Sequence, residues 1–264
     1  MRGNSSAHIL FLIPLLVAGA FSNPAILAKP VKLTPSQTPA RFEGILDMRL
    51  TMETGGGDLE LSLSGDLAKL DMLMTVNPLP TPIKLAVLLD AKSPKTAYLV
   101  SDMTRTYSSI NLAEAAPSQD AKARGKFRVK QMGQEKILGF ACTHVTLSRD
   151  KELIDAWITK DMPDVYAVLK RLQEANPEIG EAELFKALEE TGNAGLPMRC
   201  IVVRDGQRVT TEVRKVEKKA LAPSLFAIPK DYTRTEGGGA AGLQPTPDQV
   251  EEMKKMIQGA MEGK

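Results

Sequence analysis

Phe42-Glu43-Gly44-Ile45-Leu46-Asp47-Met48-Arg49-Leu50-Thr51-Met52 repeats with a period of two. Phe42, Gly44, Leu46, Met48, Leu50 and Met52 share one parity, while Glu43, Asp47, Arg49 and Thr51 fall on the other. Alternation over this length describes a strand with one buried face. Gly55-Gly56-Gly57-Asp58 reads as a turn, after which Leu59, Leu61 and Leu63 alternate with Glu60, Ser62 and Ser64. Gly65-Asp66 turns again, and Leu70, Met72, Met74 and Val76 resume the pattern. Three strands joined by tight glycine turns form an antiparallel meander.

Working outward, the same kind of pattern recurs. Residues 83–90 are short and apolar and read as strand or helix. Residues 96–101 and 103–110 read as a strand pair. Residues 111–123 are Ala-rich and polar, a loop or a short helix. Residues 126–131 and 140–148 are strands about a turn near Gly133, and residues 153–159 carry the single tryptophan, Trp157. The period then changes. Val165, Leu169 and Leu172 are spaced for a helix face behind Pro163, and Asn176-Pro177 caps a second helix marked by Ile179, Leu184, Phe185 and Leu188 and ended by Gly192. Strands resume at 198–203 and 209–216 around Asp205-Gly206, a hairpin signal. The reading is a mainly β domain over residues 41–233, antiparallel, with a helical insert at 162–192.

The flanks are of another kind. Arg2 precedes an uncharged apolar run, Ile9 to Ala18, which is a secretory signal pattern and too short for a membrane span. Residues 1–28 are therefore expected to be a signal peptide, cleaved after Ala28 or Ala20, with 29–40 as a linker. The mature chain is expected in the periplasm or secreted, without a membrane span. Residues 234–245 are a Gly-rich linker. Thr246 and Gln249 fit a capping box, and Val250, Met253, Met256, Ile257 and Met261 make 246–262 an amphipathic helix. Export places Cys142 and Cys200 in an oxidising compartment, so a disulfide between them is expected.

Composition narrows the function classes. The chain has 264 residues, with 34 Lys+Arg against 32 Asp+Glu, a balance that argues against nucleic acid as the partner. Its two histidines are His8, inside the signal segment, and His144. No nucleophile elbow, phosphate-binding loop or zinc-protease motif is present. Gly237-x-Gly239-x-x-Gly242 has dinucleotide spacing but lies in the linker, with Pro245 close behind. We therefore expect no enzyme, no catalytic residue, no cofactor and no metal.

Two features point to binding instead. Leu46, Met48, Leu50, Met52, Leu61, Leu70, Met72 and Met74, together with Trp157, are candidates to line an apolar interior. Methionine suits surfaces that accept varied apolar groups. Lys122, Arg124, Lys126, Arg128 and Lys130 share one parity. Of these, Lys126, Arg128 and Lys130 are candidate anion contacts, set against the plainer reading of a charged, solvated edge strand.

The later half also resembles a known family. Gly139-Phe140-Ala141-Cys142, then Ala156-Trp157-Ile158-Thr159-Lys160-Asp161-Met162, then Gly195-Leu196-Pro197-Met198-Arg199, then Leu221-Ala222-Pro223-Ser224-Leu225-Phe226-Ala227-Ile228-Pro229 follow in order. Residues 98–107 are similar to its earlier strand pair. The sequence resembles a bacterial envelope family of uncharacterised domains whose fold is similar to the LolA/LolB lipoprotein carriers. Asp231 stands before Tyr232 where the family usually has glycine. The resemblance implies a half-open antiparallel β-barrel with helices over its mouth. It further implies a non-enzymatic protein holding a lipid or lipoprotein acyl chain. The alternative is a structural or interaction module that docks an envelope protein through its basic strand or its C-terminal helix.

Overall fold

A computed structural model describes residues 41–77, 81–93, 95–111, 125–174 and 182–235. Among the described residues twelve strands form one sheet. The meander comes first: β1 (Gly44–Met52), β2 (Gly55–Ser64), β3 (Leu67–Val76), β4 (Ile83–Asp90), β5 (Thr96–Ser101) and β6 (Thr106–Asn111). A second run follows: β7 (Arg128–Ile137), β8 (Phe140–Arg149) and β9 (Glu152–Thr159). Helices α1 (Pro163–Glu174) and α2 (Ala182–Glu190) come next. Then come β10 (Leu196–Arg204), β11 (Gln207–Lys218), a 3-10 turn at Pro223–Phe226 and β12 (Thr233–Arg234).

Each strand pairs antiparallel with its sequence neighbour within the two runs, and β11 closes back on β1. The order is β12-β6-β5-β4-β3-β2-β1-β11-β10-β9-β8-β7, so the sheet is open, with β12 and β7 at its edges. β12 lies parallel along β6, unlike the other strand pairs among the described residues. The expected mainly β, antiparallel class is what forms. The C-terminal helix at 246–262, the signal segment, the 29–40 linker and most of the Gly-rich linker lie outside the described residues.

Several local expectations shift for physical reasons. Gly56 and Gly57 do not turn; they lie inside β2, where strands approach too closely for a side chain. A Cβ on Gly57 would sit 2.3 Å from Met74 Sδ and 2.6 Å from Leu73 O. The chain reverses at Glu53-Thr54 instead. Likewise Gly133 sits at a register shift within β7, and the hairpin turns at Leu138-Gly139, both with positive φ. Asp205 and Gly206 turn as expected, again with positive φ at both residues. Residues 83–90 are strand rather than helix, fully paired with β3.

Gly44 opens β1 with φ +150°, and a Cβ there would lie 2.0 Å from the backbone oxygen of Glu217 on β11. Gly44→Ala must push apart the β1–β11 seam that joins the two runs of strands. We expect a loss of about 2–3 kcal/mol, measured by urea denaturation. An unchanged midpoint would contradict this packing.

The expected disulfide does not form. Cys200 lies opposite Ala156, and Ala156 lies opposite Val145 on β8. Cys142 is three residues from Val145, so alternation turns it to the other face of the sheet. A whole strand, β9, also separates the two cysteines. Cys142 packs in the main core, while Cys200 packs with the cluster under α2. Such a pair cannot reach disulfide geometry without breaking the sheet. Burial raises the Cys142 thiol above its ordinary pKa, which further lowers its reactivity.

Among the described residues three apolar clusters hold the fold. The largest covers one face of β1–β5 and takes in Met162 and Val165 of the α1 region. A second joins Val145, Leu147, Ile154, Ala156 and Ile158 to Leu184, Ala187 and Leu188 of α2. The third lies under the C-terminal strap, where Phe226, Ile228 and Tyr232 pack on Ala86, Leu88 and Val100. Tyr232 donates to Asp102 at 2.6 Å, anchoring the strap before β12.

Candidate functional site

Register assembles the apolar face residue by residue. Leu46 stands opposite Leu61, and Leu61 opposite Leu70. Met48 stands opposite Leu59, and Leu59 opposite Met72. Leu50 and Met74 both face Gly57, whose missing side chain leaves Met74 its room. Eight candidates thus come together on neighbouring strands: Leu46, Met48, Leu50, Met52, Leu61, Leu70, Met72 and Met74. All but Met52 are buried, and Leu46 and Leu61 are fully so. Val165, Val168 and Leu169 of α1 belong to the same packed cluster.

α1 is held across one end of this face by a few polar contacts. The Phe42 backbone N–H donates to Asp164 Oδ2 at 3.0 Å, in the first turn, where a carboxylate also suits the helix dipole. At the other end, Arg171 Nη2 donates to the carbonyls of Asp90 and Ser93, each at 3.1 Å. Those carbonyls belong to the β4–β5 turn, so α1 reaches from the start of β1 to that turn. Partial burial lowers the Arg171 pKa, with Asp90 opposing the shift. Tyr166 and Lys170 reach Glu189 of α2 at 3.1 and 2.6 Å. The Lys170 hydrogen bond is the main reason the Glu189 carboxyl lies below its ordinary value.

Trp157 is placed differently from the other eight. Its side chain rises from the face opposite Ala156 and Ile158. There it stacks on His144, with ring centroids 4.2 Å apart and planes 5° from parallel. The Arg199 guanidinium lies 5.1 Å from its ring centre. Trp157 touches the main cluster but is sandwiched between a histidine and an arginine. His144 Nε2 lies 3.1 Å from Asp155 Oδ1, and Thr146 donates to that same oxygen at 2.7 Å. Histidine and hydroxyl share a carboxylate here; they do not form a nucleophile–base pair. Arg199 also donates twice to Glu212 Oε1, at 2.9 and 3.1 Å. A cleft of about 290 Å³ lies between Glu135–Leu138 and Arg199, Glu212, Val213 and Arg214. Its charged walls carry both signs.

The cation candidates stay at the margin. Lys126 precedes β7, and Arg128 and Lys130 lie on it, all exposed. Phe127 and Val129 turn the other way into the cluster under α2, as the alternation required. Lys122 and Arg124 lie outside the described residues. Among the described residues, no group of three His, Cys, Asp or Glu could hold a metal ion, and no helix is long and apolar enough to cross a membrane.

One cluster was missed by sequence reasoning. Glu152 is buried with Arg149 and Arg204 around it. Arg149 Nη2 and Nε donate to Oε2 at 2.8 and 3.3 Å, and Arg204 donates to Oε1 from both Nε, at 3.0 Å, and Nη2. The Arg149 guanidinium also covers the Phe127 ring at 4.0 Å. The signal was available: Arg149 and Glu152 flank one hairpin turn, and Arg204 opens the turn between β10 and β11.

A family model described as a domain of unknown function, DUF4412, matches residues 42–232. No curated protein matches the chain. Similar solved structures include an uncharacterized conserved protein from Thermus thermophilus, with 8% identity, 73% of this chain and 90% of that one covered, and a TM-score of 0.42. The MucA/MucB complex of Pseudomonas aeruginosa shows 8% identity and a TM-score of 0.39; the match covers 71% of this chain and 56% of that one, so this chain spans little more than half its length. A domain described as a putative outer membrane lipoprotein-sorting protein, from Vibrio parahaemolyticus, shows 10% identity, with 69% and 88% covered and a TM-score of 0.29.

Proposed function

The chain belongs to the DUF4412 family of domains of unknown function, and from that starting point we propose a role its geometry supports: a non-enzymatic envelope binding protein whose apolar interior receives the acyl chain of a lipid or lipoprotein. One observation carries the reading. A face built from adjacent leucines and methionines, Met48, Met72 and Met74 among them, shares one packed cluster with a helix that crosses the Gly44–Asp90 end of its strands and is hydrogen-bonded there near both of its own ends. Flexible thioether side chains repack around an inserted chain at small cost. α1 acts as the lid, and the acyl chain takes its place against the sheet.

The cost of opening the lid lowers the apparent affinity by the fraction of molecules that are open. Arg171→Ala removes the two hydrogen bonds that tie α1 to the β4–β5 turn. Hydrogen bonds to a charged group contribute about 1.5–3 kcal/mol. We expect Arg171→Ala to bind a fluorescent fatty acid roughly tenfold more tightly than the parent chain. Equal affinities would show that α1 is not the gate. No binding by either chain, with the fold intact by circular dichroism, would refute the proposal.

A further inference from the structure

We propose that two copies of this chain associate through β7, pairing it antiparallel with itself across a two-fold axis. Among the described residues β7 is hydrogen-bonded on one side only, to β8. Residues 130–136 are exposed without a break, so among the described residues nothing covers this edge. At the other end of the sheet, β12 and the strap lie along β6. An open strand edge is a template for another strand, and proteins usually blunt it with charged side chains, Pro or a covering segment.

The charges on β7 are instead complementary to themselves. The register that matches all ten residues sets Arg128 opposite Ile137 of the second copy. It then sets Lys130 opposite Glu135, Gln131 opposite Gln134 and Met132 opposite Gly133. No two like charges face each other. Two-fold symmetry makes each of these pairs twice.

The bulge is what makes this register workable. Lys130 and Glu135 differ in parity, and in a regular strand they would point to opposite faces. The shift between Gln131 and Gly133 leaves Lys130 opposite Thr146 and Glu135 opposite Cys142, which share a parity on β8. Both charges therefore project from one face, and across the two-fold axis each meets its opposite. Met132, 52% exposed beside the axis, would be covered by its own symmetry mate. An acidic peptide on the same edge would gain Lys130 and Arg128 but meet Glu135 in repulsion. The self-pairing resolves both.

Sedimentation equilibrium of the purified chain over micromolar to millimolar concentration tests this. A dimer is expected, with Lys130→Glu and Glu135→Lys each weakening it about tenfold, since each reversal turns two attractive pairs repulsive. The double reversal restores the parent affinity. Both residues are exposed; Glu135 Oε1 also lies 3.8 Å from Arg199 Nη1 of its own chain, so circular dichroism verifies that each single variant keeps the fold, and Lys130→Glu, which leaves that pair intact, carries the test alone if Glu135→Lys does not fold. A monomer throughout the range, or a dimer unaffected by either reversal, would overturn the proposal. So would failure of the double reversal to restore it, which would leave the edge to a partner of different sequence.

Discussion

Glu152→Ala is expected to destabilise the fold by about 3–5 kcal/mol, because it leaves Arg149 buried against a partner that is gone. Arg149 is 3% exposed and Glu152 7%. Burial by itself would raise the Glu152 carboxyl. The hydrogen bonds and charges of Arg149 and Arg204 outweigh that and hold it below its ordinary value of 4.5. The sign of the pH dependence follows. A carboxyl whose folded pKa is depressed contributes stability that is complete above the unfolded value and lost as pH falls through the folded one. The parent chain should therefore lose stability below about pH 4.5, and Glu152→Gln should flatten that acid limb. Urea titrations at pH 7 and at successively lower pH measure both effects. A loss under about 1 kcal/mol at pH 7 would mean the arginines are solvated and the cluster is ordinary surface.

Leu46→Ala should cost about 3–5 kcal/mol. Leu46 is fully buried on β1, with Leu61 and Val216 beside it on the flanking strands. A rigid β seam does not close over the void, so both the transfer and the cavity contributions are lost. Met72→Ala, two strands away, removes a similar volume from the same cluster. If the interior accepts acyl chains, these two sites should differ in ligand response. A fatty acid should recover part of the Met72→Ala loss by filling its void, and less of the Leu46→Ala loss at the seam. Thermal denaturation with and without the fatty acid reads this directly. Equal losses and no ligand effect at either site would describe an ordinary, closed core.

Much of this fold is legible in the period-two pattern of residues 42–76. The leucines and methionines of β1 and β2 project where their parity says, because one buried face enforces alternation. The turns are less legible. Three consecutive glycines look like a reversal, yet Gly56 and Gly57 are needed for strand approach, a requirement of the neighbouring strands. Gly133 is equally ambiguous, since a bulge and a turn draw on the same residue type. The disulfide failed for a reason that no count of cysteines contains. Strand order and face decide whether two thiols meet, and β9 stands between these. Trp157 is apolar by composition but flanked by His144 and Arg199 across strands, and cross-strand neighbours are invisible until the register is known.

Native mass spectrometry tests most directly whether the Leu/Met face that α1 closes at one end receives an acyl chain. The chain would be purified from its own cell envelope without detergent and sprayed intact. A population heavier by the mass of one acylated molecule, released on denaturation and absent from a variant with Met72→Asp that still folds, is the predicted result. Protein at its bare mass, unchanged after incubation with excess fatty acid or lipoprotein, would contradict it.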